Sequence, residues 1–245
     1  MKRIFTTFKE KWPEYLLEIL VLIIGIYGAF AVDRWNENQS NKKLVEDYYC
    51  RFLADLNQDA IKINDLLAES QLRLAKSNQM LLELQEESPQ KNKAIKLMLE
   101  GTARISYQFT PISAGYDDLK SSGNLNTFTD QGIIDQLGTY LKETEGLAGN
   151  ISYNGQTALT ELFEIDDLFS IGFIDNSFLK EGIDTTLIKL ETFDRNPLTS
   201  VQQKQLKHMS TVLIALNFRN SQHYQLMLDK NQLMKPLIES KCTNP

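Results

Sequence analysis

The chain is poor in the residues that usually carry chemistry. It has two cysteines and two histidines in 245 residues. That excludes a disulfide-rich scaffold and a cysteine-based zinc module, and it leaves a multi-histidine metal centre without ligands. Positive charge is also scarce: the net charge is −6 and the pI about 5.1. Nucleic-acid binding normally needs a basic face, so no nucleic-acid partner is expected. Twelve glycines and six prolines are too few for a collagen-like or low-complexity chain. No P-loop, dinucleotide glycine fingerprint or H-E-x-x-H motif occurs, so neither an enzyme nor a cofactor is expected. What the chain does have is a 42% hydrophobic and 24% charged balance, with length enough for a sizeable core.

The apolar residues are distributed unevenly. Tyr15 to Val32 reads YLLEILVLIIGIYGAFAV, with Glu18 as its only charge. As a helix it spans about 27 Å, close to the roughly 30 Å of a bilayer's hydrocarbon core. Trp12 and Tyr15 stand at one end and Trp35 at the other, in the manner of an interfacial aromatic belt. Ala29-Phe30-Ala31 resembles a signal-peptidase site, but Glu10, Pro13 and Glu14 make a poor leader for it. A buried core helix and a helix lying in the interface are the other readings; Ile19 to Val32 has no polar face for the latter. The expectation is an uncleaved single-pass anchor. Basic residues balance across it, with Lys2, Arg3, Lys9 and Lys11 before and Arg34, Lys42, Lys43 and Arg51 after. The short basic tail, residues 1–14, favours an inside N-terminus, leaving residues 33–245 exported.

Downstream, the periodicity is helical. Val45, Tyr49, Phe52, Leu56, Ala60, Ile63, Leu67, Leu74 and Leu81 recur at helical steps from Lys43 to about Glu86. Because this run continues the anchor, one helix is expected to leave the bilayer as a stalk. A second helix is expected over Asn92–Ile105. A third, capped by Thr129 or Asp130, buries Ile133, Ile134, Leu137, Tyr140 and Leu141. A fourth covers about Asn154–Phe169. Gly172, Gly182 and Pro197 mark loops, and Thr199 or Ser200 opens a last long helix ending near Pro236. No alternating strand pattern stands out. The fold class is all-α: an elongated antiparallel helical bundle on a membrane stalk.

Few positions invite a chemical reading. In Gly115–Leu125, GYDDLKSSGNL, a short helix is expected to end at Ser122, Gly123 and Asn124, with Gly123 left-handed. The competing reading is a Ser-Gly-Asn site, or a hydrolase using Asp117, Asp118, Ser121 or Ser122; no nucleophile elbow or partner histidine identifies it. Asp117-Asp118, Glu86-Glu87 and Asp166-Asp167 are adjacent acids, which point apart on a helix. His208 and His223 stand about 22 Å apart on one expected helix and cannot share a metal. In the anchor, Gly25 and Ala29, with Gly28 beside them, form a small-residue face suited to close helix packing. Glu18 shares that face and is either an ion-coupling acid or one hydrated at the headgroups. Cys50 and Cys242 lie on the same side of the anchor, and export would let them form a disulfide if the last helix returns along the stalk. The alternative is a Cys50 packed among Tyr48, Tyr49 and Leu53, with Cys242 a free thiol on a frayed tail.

Two stretches resemble a known family. The anchor ending G-I-Y-G-A-F-A-V-D-R-W-N-E-N, and later Y-D-D-L-K-S-S-G-N-L, resemble an uncharacterised family of bacterial single-pass membrane proteins common in Bacteroidota, a domain of unknown function. Asp33-Arg34-Trp35-Asn36-Glu37 departs from the Asn-Asn-Trp-Asn-Glu ending often seen there. The resemblance implies a Gram-negative inner membrane with the body in the periplasm; it implies no activity. Three functions remain open. The first is an interaction, scaffold or sensory module that works with a membrane partner or a second copy. The second is a subunit of an ion-coupled complex using Glu18, and the third an exported hydrolase.

Overall fold

The computed structural model describes residues 2–165, 179–182, 184, 186–187 and 197–243. All its regular elements are helical, with no strand among the described residues. Helix α1 runs without a break over Lys2–Glu83 and is about 123 Å long. It contains a segment long and apolar enough to cross a membrane, and none of that segment is buried against the rest of the chain. Burial begins at Tyr48, after a polar stretch from Asp33 to Lys43 that touches no other element deeply. One helix therefore serves as the apolar N-terminal rod and as the first member of the bundle.

The chain then folds back along α1. Lys93 pairs with the buried Glu83 (2.6 Å), and Glu83 also accepts from the Gln90 amide (2.7 Å), which closes the turn around Pro89. Helix α2, Lys91–Thr102, returns antiparallel, with Lys76 facing Glu100. It stops at Thr102, short of the expected Ile105. Thr102 turns its hydroxyl onto the Met98 and Leu99 carbonyls, and Arg104 takes a left-handed φ of 55°. Residues 103–113 descend as a non-helical strap to helix α3, Ala114–Ser121, and a 3-10 turn, Asn124–Thr127.

Helix α4 then rises over Gln131–Phe163. It joins the expected third helix and the described part of the fourth into one. Gly146, Gly149 and Asn150 sit on its exposed side, where their low helix propensity is outweighed by the Ala148 and Ile151 packing beneath. The end expected near Phe169, the Asp166-Asp167 pair and Gly172 lie outside the described residues. A single turn, Leu179–Gly182, follows. Helix α5, Ser200–Glu239, opens on a capping box in which Thr199 and Gln202 satisfy each other's backbone amides. It passes through Pro236 rather than stopping there. The proline forgoes the backbone bond to Gln232 in the turn before it, and the burial of its neighbours Met234 and Ile238 in the core offsets that cost.

α5 lies antiparallel to both α1 and α4. Gln203 donates to the Leu84 carbonyl at one end, Asn231 to the Leu56 carbonyl further down, and Cys50 joins Cys242 at the base. Against α4, His208 meets Glu161 and Lys230 meets Glu143. The result is a four-position bundle in which α2, the strap and α3 together make the second position. Gly155 is the tight contact on the far side of the strap. A Cβ there would fall 2.5 Å from the Ile105 carbonyl oxygen and from Ser106 Cα.

Candidate functional site

The core is divided into layers. Three apolar clusters stack along the bundle, around Phe52 and Phe128 near the base, Ile63 and Met227 in the middle, and Met98 and Met209 at the far end. Polar side chains separate them. Between the middle and far layers the α1 face turns from leucine to Ser70, Arg73 and Ser77, all buried, while Leu74 is only partly so. Asn217 on α5 satisfies them. Its Oδ1 accepts from Arg73 Nε (3.1 Å), and its Nδ2 donates to the Gly101 carbonyl (3.0 Å) and Ser77 Oγ (3.3 Å). Burial lowers the affinity of Arg73 for its proton, and the nearest carboxylate, Glu69, is 3.7 Å away. Asn154 and Asn220 pair in the same region at 2.8 Å.

The second polar layer, between the base and the middle, is acidic. Asp55 and Asp59 are one turn apart on α1 and face the strap. Asp59 is 1% exposed. Its Oδ1 accepts from the Ile112 amide (3.1 Å) and its Oδ2 from Tyr140 Oη (3.1 Å). Tyr140 in turn accepts from Asn231 Nδ2 (3.1 Å), so the strap and α4 meet α1 at one carboxylate and α5 joins through the phenol. Asp55 accepts from the Gly115 amide at 3.3 Å. A Cβ at Gly115 would stand 3.1 Å from Asp55 Oδ2 and 3.2 Å from the Phe52 ring, so the backbone approaches α1 closely there. Burial, reinforced by Asp55, pushes Asp59 up to about 6 despite its two hydrogen bonds, and it raises Asp55 as well. The same burial, offset in part by Asn231, drives the Tyr140 phenol well above its ordinary value. A cavity of about 10 Å³, lined by Asp55, Ile112, Tyr116 and Tyr140 among others, adjoins the pair.

The GYDDLKSSGNL stretch docks just below. Tyr48 Oη donates to Asp118 Oδ2 (3.0 Å), which also meets Arg51 (3.3 Å). Ser122 caps α3 and Gly123 is left-handed, with a φ of 74°. Asn124 Nδ2 donates to Ser122 Oγ (2.9 Å). Ser121 and Ser122 give their hydroxyls to the Asp118 and Leu119 carbonyls, and Asp117 accepts from Ser113. Asp118 and Ser122 hold α3 to α1 through Tyr48 and Arg51, and the other bonds close the ends of α3 itself. The two histidines lie on another element, α5, where His208 pairs with Glu161 at 3.3 Å and burial lowers His223. Gly25 and Gly28 face open space, as do the other apolar side chains of their segment, including Ile26 and Phe30. Glu18 lies on the same exposed rod.

At the base, Cys50 and Cys242 form a disulfide, with Cα atoms 4.9 Å apart. Lys241 pairs with Asp130 beside it, and Thr243 with Glu46. Tyr49 and Phe128 meet edge-on at 5.2 Å within an aromatic cluster that includes Tyr48 and Phe52. Among the described residues no group of three His, Cys, Asp or Glu side chains is placed to hold a metal. Sequence reasoning missed Asp55 and Asp59 because it looked for adjacent acids. The available signal was their four-residue spacing on the core side of α1, next to Leu56 and Ile63. Comparison of the chain with family models, with curated proteins and with solved structures finds no match.

Proposed function

We propose that this is a single-pass, membrane-anchored helical module of the cell envelope that works by interaction, as a scaffold or sensor, and catalyses no reaction. The observation that carries the reading is the continuity of α1, whose exposed apolar rod and core bundle helix are one element. A rigid helix shared by both halves couples any shift in the bundle to the membrane segment. Residues 15–32 would cross the inner membrane, with residues 1–14 in the cytoplasm and residues 33–245 in the periplasm. The disulfide at the base supports an oxidising location for the body. The resemblance to the uncharacterised Bacteroidota family supports the same placement.

The segment around Gly25, Gly28 and Ala29 would pack against a second copy or a membrane partner, since close backbone approach is open there. Glu18 supports a second reading, an ion-coupled subunit, because an acid on that face would meet the partner helix. Purification of the full chain in mild detergent, after crosslinking in native membranes, tests the interaction reading. The expected result is a stoichiometric partner or second copy, crosslinked through residues 16–43. A monomer that crosslinks to nothing overturns it.

A further inference from the structure

Inside the bundle α1 keeps a seven-residue repeat. Its buried positions step by four and three, from Phe52 and Leu56 through Asp59 and Ile63 up to Leu84. The opposite face therefore repeats in sevens as well, and it is almost without charge. Ala54, Ile61, Ala68, Ala75 and Leu82 recur along it, all exposed, with Ile61 66% and Leu82 62% open to solvent. Asn57, Asn64, Gln71 and Asn78 run beside them, and Leu72 is exposed on the other flank. Asp65 is the one charge among the thirteen positions of this face between Ala54 and Leu82, where the chain's 24% charged share would place about three. An outward helix face is ordinarily the charged one: α4 turns Lys142, Glu143 and Glu145 to solvent within a single turn. Depletion of charge distinguishes the core of an interface from open surface. We infer that this face of α1 is the contact surface for a second copy of the chain, with the two α1 helices parallel.

Seven-residue steps carry the same face down into the membrane segment. From Asn57 they pass the half-buried Cys50 to Lys43, Asn36 and Ala29, one turn from Gly25. Two copies anchored in one membrane in the same direction stand at the same height. A two-fold axis along the membrane normal then sets each residue against its own counterpart. The face suits that arrangement. Alanines meet without a clash, and the Asn and Gln amides both donate and accept, so each matches itself. Below the bundle the charges on the face are Asp33, next to the apolar run, and the exposed Lys43 and Asp47, one turn apart. The lysine of each copy reaches the aspartate of the other, so this pair is complementary across the axis. From Ala29 to Leu82 the strip is about 80 Å long and, at about 10 Å wide, covers roughly 800 Å² on each copy, the size of a standard interface. The inference rests on the interaction reading and names its partner.

Photocrosslinking in native membranes tests it. Two differently tagged full chains are co-expressed, each with a benzophenone amino acid in place of Ala68, Ala75, Ile26 or, as a control, the exposed Gln222 of α5. The expected product joins both tags at the mass of a dimer from 68 and 75, and is absent from 222. In Ala68→Glu, which sets like charges face to face, the product from position 75 is lost, while the urea midpoint in detergent is unchanged because Ala68 is exposed. No dimer from 68 and 75 overturns the proposal, as does an equal yield from 222 or a product that survives Ala68→Glu. Capture of a different protein at 68 and 75 also overturns it, but leaves the interaction reading standing. So does a partner captured at 26 alone. Failure of the interaction reading is the separate result in which no position captures any protein.

Discussion

At the residue scale the most consequential groups are polar ones placed where leucines would be ordinary. Asp59 makes stability depend on pH in the sense opposite to common acid denaturation. Its midpoint is raised in the folded chain, so its contribution is fully present below about pH 4 and lost as pH rises through about 6. Asp55 is shifted the same way. The unfolding free energy of the full chain in urea is expected to rise as pH falls from 7.5 to 5, by about 1.4 kcal/mol from Asp59. A flat profile over that range contradicts the assignment. Asn217→Ala strips Arg73 Nε of its acceptor and the Gly101 carbonyl of its side-chain donor, and buried unsatisfied polar groups cost about 1–3 kcal/mol each. Loss of about 2–4 kcal/mol in denaturant melts is the expected reading. Gly155→Ala pushes a methyl into the strap backbone, which has no flexible side-chain end to yield there; destabilisation of about 1–3 kcal/mol follows.

At the scale of elements, the base of the bundle is where three long helices are tied together. The disulfide spans 192 residues of sequence, and Lys241–Asp130 adds α4 to the joint of α1 and α5. Closing so long a loop is worth up to about 5 kcal/mol on the chain-entropy model. Cys50→Ser with Cys242→Ser is expected to lower stability by about 2–5 kcal/mol and to speed amide exchange at residues 236–243. Unchanged exchange there would mean that the packing of Met234 and Ile238 alone holds the end of α5. Element ends were only partly legible in the sequence. Thr199 with Gln202 announces the start of α5 because capping is local chemistry. The passage of α5 through Pro236, and the union of two expected helices into α4, depend on burial against neighbours distant in sequence.

At the scale of the molecule, one rod carries both halves. The full chain is expected to stay in the membrane pellet after carbonate washing through residues 15–32. A soluble form beginning at Val32 would mean cleavage after Ala31. The sequence by itself determined the helical class, the apolar segment and the continuity of α1, because hydropathy and the 3.6-residue period are properties of neighbouring residues. It did not disclose that Ser70, Arg73 and Ser77 face inward in place of Leu74, or that Asp59 ties the strap and α4 to α1, with α5 joined through Tyr140. Polar residues read as surface until partners are known, and Ile112, Tyr140 and Asn217, the partners of Asp59 and Arg73, stand 53 to 144 positions away. Only the tertiary structure decides that, because the desolvation that shifts Asp59 and the amides that hold it exist only after the strap, α4 and α5 have closed over α1.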